Sequence, residues 1–263
     1  MVRLVRFAFA ALAVCIAVAA LPGCGSDDGG DPSRQSLVRV LNLLLPAAGA
    51  AATVNVTAGG TPLTPGGLAY GQMVPGETFS TVASGSFNPQ VTGSGLPAPL
   101  GPAGPIALVG NQTRYIVVVA GQTGAADPAL GPQVLVIPEF NPQVDALPAG
   151  YAAVRLLNLS PAARRLSLFG NTGAGSAPLA PQVANVGFGF APGANQFATL
   201  PAGGPFSLSV REPGSPAVNV PVANPEVLNS LTLRAGHAYT VILSGQTGNA
   251  AFPLTARVLE WSG

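Results

Sequence analysis

Apolar residues in this chain come in short bursts divided by Gly, Pro and Asn, the rhythm of β-strands and turns. Phe206-Ser207-Leu208-Ser209-Val210 alternates apolar with polar, as a half-buried strand does. Arg165-Leu166-Ser167-Leu168-Phe169 is a shorter version of the same pattern. Tyr115 to Val119 and Tyr239 to Leu243 are apolar almost throughout, which predicts central strands covered at least partly on both faces. Beyond the N-terminal segment, no stretch keeps a 3.6-residue period free of Gly and Pro. The pattern predicts an all-β protein.

The pattern also repeats. Val38-Arg39-Val40-Leu41-Asn42-Leu43 returns as Val154-Arg155-Leu156-Leu157-Asn158-Leu159. Leu68-Ala69-Tyr70-Gly71 answers to Val186-Gly187-Phe188-Gly189, and Phe79 to Phe197. Tyr115 to Gly124 answers to Tyr239 to Gly248, and both end in the same tetrapeptide, Gly-Gln-Thr-Gly. Four matches in the same order predict a tandem duplication. The frequent turns predict two tandem antiparallel β-sandwich domains, Ig-like or transthyretin-like. The expected division is a signal segment over 1–23, a flexible tether over 24–36, a first domain over 37–140, a linker over 141–151 and a second domain over 152–263. The Gly-Gln-Thr-Gly segments read as exits of central strands, where Gly permits positive φ. A phosphate cradle would need a helix to follow, and here strands are expected at Val134 to Ile137 and Leu254 to Leu259.

The first residues carry an address. Arg3 and Arg6 precede an apolar run from Phe7 to Leu21, shorter than the roughly 20 residues of a membrane-spanning helix. Leu21-Pro22-Gly23-Cys24 then resembles the lipobox of bacterial lipoproteins. The resemblance implies lipid on the Cys24 thiol, cleavage before it and acylation of the new terminus. Cys15 lies in the removed segment, so no disulfide framework is expected. Gly25 after the cysteine is compatible with delivery to an outer membrane in the sorting scheme of Gram-negative bacteria.

Composition narrows the function. Charged residues make up 8% of the chain, and every basic side chain is Arg. Without Arg3 and Arg6, nine arginines face ten acids, and only Arg164-Arg165 adjoin. A nucleic-acid partner, which needs a basic patch, is not expected. The 34 Gly and 27 Pro suit many turns, while 48% hydrophobic residues oppose wholesale disorder.

Three landmarks resemble the DUF4397 family, a β-rich extracytoplasmic domain of bacteria whose function is unknown. They are the opening strand Val154 to Pro161, the hairpin-like Leu200 to Leu208, and the late strand Ala235 to Ile242. The similarity covers about Leu37 to Ile137 and again about Ala152 to Leu259. It implies fold and compartment and supplies no activity. Where many members have a His and an Asp, this chain has Asn42 with Asn55 and Asn158 with Ser167.

Candidate chemistry is sparse. The one histidine, His237, has Thr113 as its counterpart in the first copy and reads as an exposed residue at a strand edge. The acids Glu77, Asp127, Glu139, Asp145, Glu212, Glu226 and Glu260 stand singly. No metal site, cofactor or catalytic residue is expected. Arg39 and Arg155 read as outward strand residues that blunt an edge or pack on an aromatic, with a repeated anion contact as the sharper alternative. Tyr70/Phe188, Phe79/Phe197 and Tyr115/Tyr239 read as core aromatics, with a sugar-stacking platform as the alternative. The expectation is a non-enzymatic envelope module, structural, scaffolding or adhesive, held to the membrane through Cys24, with an envelope protein or glycan as its partner. The runner-up is a carbohydrate or small-ligand binding protein, and a hydrolase comes third.

The address makes a testable claim. Cys24→Ala should leave an uncleaved or soluble exported form without lipid. Intact-mass measurement of the wild-type protein from membranes should give a lipidated terminus at Cys24; an unmodified mature terminus at any other residue would contradict the lipoprotein reading.

Overall fold

In a computed structural model, residues 34–47, 53–76, 78–139, 147–161, 165–170, 179–189, 197–212 and 219–262 are described. Cys24, the signal segment, and Glu77 and Asp145 lie outside them. The chain is all-β. The first half carries β1 (Gln35–Leu45), β2 (Val54–Ala58), β3 (Thr61–Pro62), β4 (Met73–Val74), β5 (Ser80–Ala83), β6 (Gly85–Phe87), β7 (Pro89–Gly93), β8 (Ile106–Leu108), β9 (Thr113–Gln122) and β10 (Gln133–Pro138). The second carries β11 (Tyr151–Asn158), β12 (Arg165–Gly170), β13 (Val186–Gly187), β14 (Ala198–Pro201), β15 (Gly203–Phe206), β16 (Leu208–Arg211), β17 (Leu231–Leu233), β18 (His237–Ser244) and β19 (Thr255–Ser262). Among the described residues one short α-helix, α1 (Glu226–Asn229), precedes β17. Ser207 divides the alternating run of Phe206 to Val210 between β15 and β16.

The same pairings occur in each half. β1 lies between β9 and the short strands β4 and β5, and β9 continues to β10. In the second half, β11 lies between β14 and β18, and β18 continues to β19. The small facing sheets also match, with β2 on β7 and β12 on β16, and β6 on β8 and β15 on β17.

The expected antiparallel character needs correction. β1 pairs with β9 in parallel, Val38 beside Tyr115, and β11 pairs with β18 in parallel, Val154 beside Tyr239. Parallel neighbours need a long crossover connection. Here the crossover is the rest of each half, which leaves β1 or β11, builds the facing sheet and returns. The first strand also takes in the last two residues of the stretch expected as tether. β1 begins at Gln35, because Gln35 and Ser36 pair with Ala83 and Val82 and the Ser36 hydroxyl donates to the Val109 carbonyl.

Side chains alternate across a strand, and in the central strands both faces are buried. One face of β1 and β9 (Val38, Val40, Tyr115, Val117 and Val119) packs on Val54, Val56 and Val91 of the small sheets. The corresponding face of β11 and β18 packs on Leu166, Leu168, Leu208 and Val210. The opposite faces meet each other. Leu41, Leu43, Ile116, Val118 and Ile137 from the first half form one apolar cluster with Leu157, Leu159, Ile242 and Leu259 from the second. This shared core is why the central strands lack a polar face.

The repeated polar landmarks have internal partners. The Asn42 amide donates to the Leu68 carbonyl and its oxygen accepts from the Leu44 N–H; Asn158 does the same with Val186 and Ser160. The two Gly-Gln-Thr-Gly segments leave β9 and β18 as expected, with φ of +105° at Gly121 and +90° at Gly245. A Cβ on either glycine would fall 2.1 Å from a carbonyl oxygen of the neighbouring strand's approach, that of Gly131 or Pro253. The Gln246 amide donates to Gln122 Oε1 at 2.9 Å, so the two copies of the motif touch.

Leu157 is fully buried only because the halves meet. Leu157→Ala should cost about 2–5 kcal/mol in chemical denaturation, the range for a large side chain lost from a packed core. A loss within about 0.5 kcal/mol, the scale of an exposed site, would show that the shared face is open in solution.

Candidate functional site

The matched arginines are not at sheet edges. They stand on central strands and point into the shared face, which is why Arg39 is 7% and Arg155 1% exposed. Arg39 Nε donates to Glu139 Oε1 at 2.5 Å. Arg155 Nε donates to Thr240 Oγ1 and its Nη2 to the Pro138 carbonyl, both at 2.8 Å. Each guanidinium also lies over the matched aromatic of its own half, Arg39 at 5.0 Å from the Phe79 ring centre and Arg155 at 4.7 Å from that of Phe197. The sequence readings change accordingly: the guanidinium rather than the stem lies on the aromatic, and the carboxylate contact is made by Arg39 but not repeated by hydrogen bond at Arg155. Burial pushes the Glu139 carboxyl above its ordinary value, opposed chiefly by Arg39 and also by Arg155. Burial also holds the Arg155 guanidinium down at about 10. The cluster ties the halves together and is a structural centre.

His237 differs from its expectation. Its side chain is 25% exposed, and Nδ1 lies 3.0 Å from Glu260 Oε1, off the line of a hydrogen bond. The Tyr239 hydroxyl donates to the same oxygen at 3.0 Å, and Arg234 Nη1 stands 3.4 Å from it. The reason is register: Tyr239 pairs with Glu260 across β18 and β19, two residues from His237 and on the same face. Histidine and acid thus meet, but among the described residues no Ser or Thr hydroxyl is hydrogen-bonded to His237. A triad needs that third member.

A concavity of about 470 Å³ beside β12 and β13 gathers different chemistry. Phe188 lines it half-buried, with Arg165, Gln182 and Asn185 exposed around it. Asn185 sits in the left-handed region at φ +57°. Its N–H donates to Ser167 Oγ at 2.8 Å, and its carbonyl accepts from Arg165 Nη1 at 3.2 Å. The backbone is pinned on both sides while the residue as a whole stays exposed. A larger hollow of about 630 Å³ lies between β3 and β5, but its aromatic, Phe87, is buried in the core and among the described residues no charged side chain lines it.

Among the described residues the equivalent place in the first half carries different side chains. Val54 bridges Leu68 as Leu166 pairs with Val186, which places Thr53 at the position of Arg165 and Gly67 at that of Asn185. Gly67 has φ +84°, and a Cβ there would meet Thr53 Cγ2 at 2.6 Å. Tyr70, the counterpart of Phe188, packs edge-on against Phe252 of the second half at 5.0 Å. Sequence reading singled out Phe188 but missed Arg165, Gln182 and Asn185, whose only signal was that Asn185 and Arg165 differ from their partners in the repeat.

Because the folded-state pKa of Glu139 is raised, the folded chain holds that proton more tightly than the unfolded chain. The resulting stability is fully present below the ordinary value of 4.5 and is lost as pH rises through the folded value. The melting temperature of the wild type minus that of Glu139→Gln should therefore shrink between about pH 4 and about pH 7. A difference that grows with pH would show that pairing to Arg39 outweighs burial.

Compared with models of protein families and with curated proteins, the chain matches none.

Proposed function

We propose that this chain is a lipid-anchored module of the bacterial envelope that holds or presents a partner and catalyses no reaction. In this reading it consists of two tandem β-sandwich domains, similar to DUF4397 domains, stacked through their central sheets. The sandwich reading is supported by the two apolar clusters that each join a central sheet to the small sheets of its own half. The observation that carries the functional reading is where the repeated polar residues point. Arg39 and Arg155, Asn42 and Asn158, and Gln122 and Gln246 all hydrogen-bond within the fold or across the shared face. What the duplication kept in both copies is therefore architecture. A stacked body behind a polar tether suits a spacer, scaffold or adhesion element, and the Gly25 position supports outer-membrane delivery.

Sucrose-gradient fractionation combined with crosslinking in intact cells tests this. The full chain should band with the outer membrane and yield crosslinked neighbours. The double variant His237→Ala/Glu260→Gln should do the same, because neither residue has a chemical task. If that variant keeps its melting temperature but loses its neighbours, or if the wild type bands with the soluble fraction, the reading fails.

A further inference from the structure

We propose that the pocket of Arg165, Gln182, Asn185 and Phe188 binds a saccharide that carries a carboxylate. The proposal goes beyond the envelope-module reading and stands without the lipid anchor. Three kinds of group converge there. Phe188, half-buried, lines the concavity with an aromatic ring, the surface on which the C–H face of a sugar ring packs. Gln182 and Asn185 each offer an amide with two donors and an acceptor, suited to vicinal hydroxyls that both give and take hydrogen bonds. Arg165 commits one N–H group to the Asn185 carbonyl, and among the described residues its other donors meet no partner. A guanidinium with free, coplanar donors takes a carboxylate in a two-point contact. Among the described residues no acid lines the pocket to oppose it.

The site is built rather than incidental. Asn185 is held in a left-handed conformation that Asn adopts more readily than most residues. Both of its backbone groups are tied, N–H to Ser167 and carbonyl to Arg165, so the backbone that carries the amide is fixed before any ligand arrives. Such pre-arrangement lowers the ordering cost of binding. The comparison within the chain sharpens the point. The first half meets the same backbone demand with Gly67 and fills the adjoining space with Thr53. The fold needs a left-handed residue there; it does not need the Asn amide or the Arg charge.

The first half also supplies the test. Asn185→Gly and Arg165→Thr install the residues that the equivalent position already tolerates, so both variants should fold and melt like the wild type. The probes are trigalacturonate and its methyl ester, titrated against the full chain in detergent by isothermal calorimetry or ligand-observed NMR. The acid should bind at least about tenfold more tightly than the ester, with the preference falling as salt is raised. Asn185→Gly should weaken both ligands severalfold. Arg165→Thr should remove the preference and leave ester binding unchanged. Absence of binding by either probe, equal affinity for acid and ester, or affinities untouched by both substitutions would each overturn the proposal.

Discussion

Everything in this fold depends on two central sheets that bury both of their faces. A sheet with one wet face can carry charge on alternate residues; these two carry it only where Arg39 and Arg155 find partners inside the shared face. One face of each closes its own half, and the other closes on its counterpart. That requirement accounts for strands such as β9, whose residues from Tyr115 to Ala120 are all buried. It also accounts for a chain with so few charged residues.

The few polar groups left inside the shared face break its symmetry. Arg39 stands beside Ile116, while Arg155 stands beside Thr240 and bonds to it. Glu139 in the first half occupies the place taken by Trp261 in the second, one residue beyond the matched pair Pro138 and Glu260. Trp261 packs edge-on against Phe197, whose ring also receives Arg155. One carboxylate therefore serves two arginines, and it belongs to the first half alone. A face made from two second halves would bury two arginines without Glu139, and an unpaired buried charge is strongly destabilising. The cluster thus selects first half against second.

Much of the architecture was legible because it is periodic and local. Alternation, turn residues and the repeat together gave strands near their observed places, and the glycines of Gly-Gln-Thr-Gly announced their positive φ. Strand direction was not legible. Nothing in Val38 or Tyr115 states that their strands run parallel; that follows from how many strands intervene on the facing sheet. The shared core was half legible, since doubly apolar strands demand a second cover without naming it. Sites were hardest to read. Glu139 and Arg39 are a hundred residues apart and meet only through β1, β9 and β10. His237 looked exposed because its partner, Glu260, arrives from the following strand.

Hydrogen exchange on the native chain addresses the shared core most directly. Amides protected only by global opening exchange together, whereas separately stable units open separately. If β1, β9, β11 and β18 close on one another, their amides should share one opening free energy and one response to mild denaturant. Two distinct opening energies, one for β1 and β9 and another for β11 and β18, would contradict a core held in common.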